Sequence, residues 1–208
     1  SSNYEECRLK FRSLCKLRSF EIETLPIDNE VGQKLFIDVG YKIATTKTSN
    51  VLLHISGTHG VEGYSGSAIQ INFLYHFDEI MKNIPNQNSL TIILVHTLNP
   101  FGMKYGRRFN ENNVDLNRNY IFDQEELNGL ISNSSPLYLH LNKWLNPEIP
   151  METCKESFAD KANMFWKSIV HNRDELKQAV VGGQYTNKKG IFFGGYFIQP
   201  SHLRLTEF

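Results

Sequence analysis

The sequence predicts an α/β domain, and three observations support this prediction. Two short and continuous apolar runs, residues 51 to 55 and 90 to 95, have the composition of strands buried on both faces. Between them, residues 65 to 77 place apolar side chains close to helical spacing. Strand, helix and strand in this order indicate a βαβ crossover in an α/β sheet.

The N-terminal elements follow from charge and apolar spacing. Residues 4 to 17 repeat apolar side chains at steps of three and four, with acidic residues early and basic residues late, which predicts an amphipathic helix. Residues 20 to 25 alternate apolar and polar side chains, and residues 34 to 43 form a second β-rich run. We expect these two strands to be neighbours in the sheet.

The second half of the chain is less regular. Residues 97 to 119 contain the turn signal Asn99-Pro100-Phe101-Gly102, just beyond a predicted strand, where open α/β folds bind ligands. Residues 157 to 180 repeat apolar side chains at helical spacing, and Gly182 ends that pattern. No repeat or linker divides the chain, so we expect a single domain over residues 1 to 208.

Composition excludes several classes of protein. The 22 Lys and Arg residues balance 22 Asp and Glu residues, so the net charge predicts neither nucleic acid nor a membrane as partner. No apolar run approaches the roughly 20 residues of a transmembrane helix. The three cysteines include no Cys-x-x-Cys pair, which favours a reducing compartment, so we expect a cytoplasmic protein.

A candidate metal site follows the first apolar run. His59 and Glu62 stand three positions apart in a glycine-rich loop, where an imidazole and a carboxylate can face one cation, and this pair of ligands suits zinc. The same residues are also compatible with an ordinary polar loop that leads into a helix, with Glu62 near the positive helix end. The spacing alone leaves both interpretations open.

A second candidate site lies within residues 107 to 119. Arginine presents a planar fork of donors that matches a carboxylate, and an adjacent amide can add a contact. Two separated arginines, Arg107 or Arg108 and then Arg118, suggest one group for a fixed anion and one for charge that develops in a reaction. The alternative is a solvated loop with surface ion pairs.

Together, these motifs resemble the zinc carboxypeptidase superfamily. The likeness is closest to its poorly characterised carboxypeptidase-like branch, with the succinylglutamate desuccinylase and aspartoacylase branch as a cousin. It implies a mixed, largely parallel central sheet flanked by helices. The matching segments are Gly57-Thr58-His59-Gly60-Val61-Glu62-Gly63, Asn99-Pro100-Phe101-Gly102, Arg107-Arg108 and Asp115-Leu116-Asn117-Arg118-Asn119.

The resemblance implies a zinc centre. His59 and Glu62 correspond to the first two zinc ligands. Arg108, or its neighbour Arg107, corresponds to the arginine that polarises the scissile carbonyl and stabilises the oxyanion. The implied cofactor is Zn²⁺, which lowers the pKa of bound water in enzymes of this kind.

The resemblance also implies a substrate. Asn117 and Arg118 correspond to the pair that binds a terminal carboxylate, and Asp115 to a residue that orients the arginines. The expected reaction is hydrolysis of an amide bond next to a carboxylate-bearing group, in a small peptide or an acylated amino acid. Peptidase and deacylase activity stay open as alternatives.

The sequence departs from the family at two catalytic positions. The later histidine that supplies the third zinc ligand and the general-base glutamate have no match in the 208 residues, although His202 lies near the corresponding place. We therefore expect the N-terminal part of a larger catalytic domain. The alternative is a catalytically incomplete binding module that keeps the carboxylate clamp. If the chain ends at Phe208, an open apolar sheet edge would favour a homo-oligomer.

Some residues are predicted to have structural roles only. His54 and His96 lie in or next to apolar strands, so we expect them to be packed and hydrogen-bonded. His76 has no carboxylate partner suggested by the sequence. The remaining glutamates, including Glu111, are expected to be exposed surface groups.

Overall fold

A computed structural model describes residues 1–27, 32, 34–46, 50–133, 136–146, 177 and 181–208. The helix predicted over residues 157 to 180 therefore lies outside the described residues, apart from Lys177.

The described residues form helices and strands that alternate along the chain. The helices are α1 (Tyr4–Leu17), α2 (Gly63–Tyr75), α3 (Phe77–Lys82), α4 (Pro100–Tyr105), α5 (Gln124–Ser132), α6 (Pro136–Leu145) and α7 (Pro200–Glu207). The strands are β1 (Glu21–Ile27), β2 (Leu35–Lys42), β3 (Asn50–Ile55) and β4 (Leu90–His96). Short 3-10 turns cover Gly60–Glu62, Gln87–Ser89 and Leu116–Arg118.

Helix α1 has the bounds that the sequence predicts. The Glu6 N–H donates to the side chain of Asn3 at 2.8 Å, which caps the helix, and Glu5 and Glu6 stand in its first turn. One face of the helix is buried, as the periodicity requires. Its members are Tyr4, Cys7, Phe11 and Cys15.

The four described strands form one mixed sheet in the order β1-β2-β4-β3. Strands β1 and β2 are antiparallel neighbours, as predicted, and β2 is antiparallel to β4. Strands β3 and β4 run in parallel, with Ile55 opposite Val95, so α2 is the helix of the predicted βαβ crossover. The sheet is mixed and flanked by helices, with a smaller parallel share than the sequence suggests.

The prediction that β3 is buried on both faces is wrong. Its first four residues are exposed, and Val51 keeps 61% of its surface accessible. The physical reason is position, because β3 has β4 as its only neighbour in the described sheet and stands at the edge. Strand β4 has a similar apolar sequence but lies between two strands, and it is largely buried.

The apolar core of this sheet lies under α1, α2 and α3. Its buried members are Phe11, Cys15, Phe20, Leu74, Phe77, Met81, Ile92 and Leu94. Helices α1 and α2 pack against each other. Helix α1 buries the apolar face that the sequence predicts, whereas α2 buries Gly63, Ser67, Gln70 and Leu74, so its predicted apolar face is only partly buried.

The two strand histidines are packed residues, as predicted. The ring of His96 stacks on Phe11 with centroids 4.6 Å apart, and its Nε2 lies 2.8 Å from Ser67 Oγ. Burial lowers the pKa of His96 to about 4, so the imidazole is neutral at pH 7. The Nδ1 of His54 lies 3.0 Å from Gln70 Nε2.

The predicted turn at Asn99 is the beginning of helix α4. The side chain of Asn99 accepts the Gly102 N–H at 2.8 Å, which is an N-cap contact, and Pro100 occupies the first turn. Asparagine followed by proline signals a turn and a helix start equally well, so the sequence alone did not separate them.

The described chain divides into two compact units, Ser1–Asn112 with Gln199–Phe208, and Asn113–Ile198. The expectation of one domain stays a prediction. In the second unit, Asn119 Nδ2 donates to the carbonyl oxygens of Gly194 and Phe197 at 2.7 and 3.0 Å.

Two features bear on the environment of the protein. Among the described residues, Cys7 and Cys15 are free and buried. No helix in the described part of the chain combines the length and the apolar character that crossing a membrane requires. A cytoplasmic location stays a prediction.

Candidate functional site

The candidate site is built beyond the carboxyl ends of β3 and β4. The chain segments that follow the two parallel strands stay paired, because Ser56 donates its N–H to Val95 and accepts the Leu98 N–H at 2.9 Å. The Asn99 N–H donates to the Gly57 carbonyl at 2.9 Å. The loop that carries His59 is therefore anchored to the segment that leads into α4.

Two glycines make this close approach of backbones feasible. Gly57 has a φ of +64°, and a Cβ there would lie 1.6 Å from Thr97 Oγ1. A Cβ on Gly60 would lie 1.9 Å from the carbonyl carbon of Gly102 and 2.1 Å from the backbone nitrogen of Met103. A side chain at either position would push the His59 loop away from the neighbouring backbone.

His59 and Glu62 face each other across the first 3-10 turn. The Nδ1 of His59 lies 3.4 Å from each carboxylate oxygen of Glu62. A hydrogen bond at this separation is long. Two ligands of one tetrahedral zinc ion, each about 2.0 to 2.1 Å from the metal, lie about 3.3 Å apart. The pair therefore has a separation that suits two ligands of one cation.

The two members of the pair differ in solvent access. The side chain of His59 is 12% exposed, whereas that of Glu62 is 67% exposed. The imidazole thus sits on the protein side of the pair and the carboxylate on the solvent side. A cation held between them would be reachable from solvent.

Arg108 lies next to this pair. Its Nη1 is 4.0 Å from Glu62 Oε1, and its side chain is partly exposed. The Gly60 N–H donates to the Arg108 carbonyl at 3.4 Å, and the Val61 N–H donates to the Arg107 carbonyl at 3.2 Å. Arg107 itself is exposed. Backbone contacts therefore hold the arginine segment against the turn that carries Glu62.

The side chains of His59 and Glu62 can form part of a zinc site. His59 and Glu62 provide a nitrogen and oxygen ligand of the kinds that zinc accepts. Within the described residues, no group of three or more His, Cys, Asp or Glu side chains could hold a metal ion. His202, the sequence candidate for a third ligand, is buried in α7 and does not join such a group.

Asn117 and Arg118 lie in the second unit, on a 3-10 turn. The Asp115 carboxylate caps this turn, because it accepts the Asn117 N–H at 3.0 Å. The guanidinium of Arg118 donates to the carbonyl of Asn117 at 2.9 Å and to that of Val181 at 2.6 Å. The carbonyl of Arg118 accepts the hydroxyl of Tyr185 at 2.8 Å.

One donor of Arg118 stands apart from these contacts. Its Nε is buried and makes no hydrogen bond in the described part of the chain. A buried guanidinium donor without an acceptor is costly. The structure thus brings together His59, Glu62 and Arg108 in the first unit, and Asn117 and Arg118 in the second.

Sequence reasoning misjudged two acidic residues. Glu111 was expected to be exposed, but both carboxylate oxygens are buried without a hydrogen-bond partner among the described residues, and burial raises the pKa of this carboxyl group. Glu79 was not expected to pair, but it lies 3.4 Å from His76 Nδ1. The second pair has a sequence signal, since a separation of three positions brings side chains together on a helix. For Glu111 we find no sequence signal.

Asn99 is a further site residue whose role the sequence did not reveal. Besides capping α4, its Nδ2 donates to the Arg108 carbonyl at 3.1 Å. The sequence signal was present in the motif Asn99-Pro100-Phe101-Gly102, but it predicted only a turn.

Comparison with known proteins gives one matching family and several similar solved structures. No curated protein matches the sequence. The chain is similar to a candidate metallopeptidase from Shewanella baltica OS155, with 16% sequence identity and a TM-score of 0.42, covering 88% of this chain and 53% of that one. It is also similar to thrombin activatable fibrinolysis inhibitor, with 19% identity and a TM-score of 0.43, covering 81% and 44%. The chain spans about half the length of each.

The family match extends over the whole chain. Residues 1–208 match the family described as "Protein of unknown function (DUF2817)". Both candidate sites, His59 with Glu62 and Asn117 with Arg118, fall within the matched range. By this match, the chain belongs to the DUF2817 family.

Proposed function

We propose that this protein is a zinc-dependent hydrolase of the carboxypeptidase-like kind, which cleaves an amide bond next to a carboxylate-bearing group. The observation that carries the proposal is the His59–Glu62 pair, with Nδ1 3.4 Å from both carboxylate oxygens and the Arg108 guanidinium 4.0 Å from one of them. A nitrogen ligand, an oxygen ligand and a fixed cation within one small volume are what metal-assisted amide hydrolysis requires.

The environment of the pair supports a ligand role over a capping role. Neither His59 nor Glu62 makes a side-chain capping bond at the 3-10 turn or at α2. The turn is anchored by backbone hydrogen bonds instead, so the backbone that carries both side chains is held in place. A fixed backbone reduces the entropy lost when the two side chains bind a metal.

Each residue of the first unit has a distinct role in the proposed reaction. His59 and Glu62 would hold the metal, which supplies a water of lowered pKa and polarises a carbonyl group. The guanidinium of Arg108 would face the carbonyl oxygen of the scissile bond, where negative charge develops, and its donors stabilise that charge. We assign no described residue as the remaining metal ligand or as the general base.

The residues of the second unit provide the proposed substrate specificity. Asn117 is exposed on its turn, and Arg118 keeps a buried Nε donor without an acceptor in the described residues. A terminal carboxylate would accept hydrogen bonds from this guanidinium and from the Asn117 amide. The proposed substrates are therefore small peptides or acylated amino acids.

A metal titration tests the proposal most directly. We expect the protein to bind Zn²⁺, and we expect His59→Ala to weaken the affinity at least tenfold, because one of the two proposed ligands is lost. The matched control is His76→Ala, which removes an exposed histidine at the same distance from a glutamate and should leave the affinity unchanged. Equal zinc affinity in the wild type and His59→Ala would overturn the proposal.

Substrate assays distinguish the forms of the proposal. Hydrolysis of peptides would indicate a peptidase, and hydrolysis of N-acyl amino acids a deacylase. Both activities should fall by at least tenfold in Arg118→Met, with the larger effect on KM, since the carboxylate contact is a binding contact. Carboxylate-dependent binding by calorimetry, without zinc affinity or hydrolysis, would instead identify a binding module.

A further inference from the structure

Asn99 uses both ends of its side-chain amide at the candidate site. Its Oδ1 accepts the Gly102 N–H at 2.8 Å, and its Nδ2 donates to the Arg108 carbonyl at 3.1 Å. The residue is fully buried, and its backbone N–H is bonded to the Gly57 carbonyl at 2.9 Å. The amide thus bridges the beginning of α4 and the arginine segment from a fixed position.

The carbonyl that Asn99 holds also contacts the metal loop. The Gly60 N–H donates to the same Arg108 oxygen at 3.4 Å, and the next N–H, of Val61, donates to Arg107 at 3.2 Å. A continuous set of hydrogen bonds therefore runs from the Asn99 amide through the Arg108 carbonyl to the turn that carries Glu62.

Helix capping alone does not explain an asparagine at this position. Aspartate, serine and threonine also accept an N–H at a helix N-cap. Donation to the Arg108 carbonyl at the same time requires a second polar group that is a donor, which the amide has, whereas a carboxylate has no donor and a hydroxyl has only one polar atom. An aspartate at position 99 would direct an oxygen at that carbonyl oxygen.

We propose that Asn99 is a positioning residue that sets Arg108 relative to the His59–Glu62 pair. Its Nδ2 holds the arginine backbone, and the Arg108 backbone in turn holds the glutamate turn. The catalytic consequence rests on the proposed hydrolase function, but the positioning itself does not, so it can be tested by a separate measurement.

Hydrogen exchange of individual backbone amides tests the positioning. Asn99→Asp keeps an acceptor for the Gly102 N–H, so that amide should stay protected, while the Gly60 and Val61 amides should exchange at least tenfold faster. Asn99→Ser keeps a capping oxygen, but its single short hydroxyl cannot replace both ends of the amide, so it should give the same pattern if the buried aspartate prevents folding. Unchanged protection of Gly60 and Val61 in both variants would overturn the proposal.

Gln70→Ala is the matched control for loss of a buried amide. Gln70 donates to the carbonyls of His54 and Val95, and it does not belong to the Asn99–Arg108 contacts. This variant should lower global stability without selective exposure of Gly60 and Val61. Equal acceleration in Gln70→Ala and Asn99→Asp would show general loosening and overturn the specific role.

A double-mutant cycle tests the catalytic consequence. If hydrolysis is found, Asn99→Asp alone should lower kcat about tenfold. The same substitution should have little further effect in the Arg108→Gln background, because Asn99 acts on the reaction through Arg108. Independent, multiplying effects would overturn the role in catalysis. Absence of any hydrolysis would count against the proposed function, and the exchange measurement would still decide the positioning.

Discussion

Two turns of the first unit carry the same pair of side chains in different surroundings. His59 and Glu62 are three positions apart, with Nδ1 3.4 Å from the carboxylate, and His76 and Glu79 show the same spacing and the same 3.4 Å. Judged by sequence spacing and by this one distance, the two pairs are equivalent.

Their surroundings separate them. His76 lies between α2 and α3 and Glu79 lies in α3, and their side chains are 46% and 79% exposed, so both are accessible to water. His59 is mostly covered, and its turn is bonded through the backbone to the segment of Arg108. The distance between the imidazole and the carboxylate is thus set by the local helical turn. A neighbouring charge in a fixed place and a largely buried imidazole are what indicate a functional site.

The largest expected effect concerns how well the His59 turn tolerates an added side chain, compared with an open helical position. Gly60→Ala would direct a Cβ to within 1.9 Å of the Gly102 backbone, so we expect a loss of about 3 kcal/mol or more in the free energy of unfolding. Gly129→Ala, whose Cβ meets nothing within 4 Å, should change stability by about 1 kcal/mol or less. Urea unfolding measures both, and similar values for the two variants would contradict the tight packing of the His59 turn.

A third histidine extends the comparison to full burial. The pKa of His96 is lowered to about 4 from 6.5, so the unfolded chain binds a proton that the folded protein does not. The contribution of the neutral His96 to the free energy of unfolding is complete above pH 6.5 and is lost as the pH falls. The loss is about 2 kcal/mol between pH 7 and pH 5.

Urea unfolding at the two pH values measures this effect. His96→Asn should be less stable than the wild type at pH 7 but should lack most of this pH dependence. His76→Ala, which alters an exposed imidazole, should keep the full dependence. A wild-type slope that persists in His96→Asn would assign the effect to another group.

A smaller effect is expected from the charge next to the His59 pair. The Arg108 guanidinium, 4.0 Å from Glu62, repels a cation held there, so Arg108→Gln should raise zinc affinity by up to about fivefold, or about 1 kcal/mol. The increase should shrink at high salt because the groups are partly exposed. Arg107→Gln is the control, and an equal gain there would mean that only net charge matters.

The smallest expected effect concerns Glu111. Burial raises the pKa of this carboxyl group, so the folded protein favours its protonated form. The resulting contribution to the free energy of unfolding is present at low pH and is lost as the pH rises through the raised pKa. Glu111→Gln should therefore raise Tm at pH 7 and change it little at pH 4. The exposed Glu23 provides the control, since Glu23→Gln should leave Tm unchanged at both pH values.

Strands β3 and β4 mark the limit of what apolar patterns predict. Both runs were identified as strands from composition, and both are strands. Burial was predicted for both but is correct only for β4, because the number of neighbours in the sheet decides it and the pattern within a strand does not encode that number.

Helix α1 marks the opposite case. Its periodic apolar face, the Asn3 cap and the acidic first turn are all local, and the predicted bounds agree with the structure. The spacing of His59 and Glu62 is local in the same way, so their proximity was predictable. The roles proposed for Arg108, Asn117 and Arg118 came from the resemblance and stay predictions.

The sequence by itself determined the local elements, because helix periodicity, caps and strand composition act over a few residues. It also determined that His59 and Glu62 share one turn. Only the tertiary structure decided that Asn99 and Gly60 both contact the carbonyl of Arg108, because Gly60 precedes Arg108 by 48 residues and no local pattern encodes that contact. Their formation depends on the parallel pairing of β3 with β4, which brings the two strand ends to one edge of the sheet.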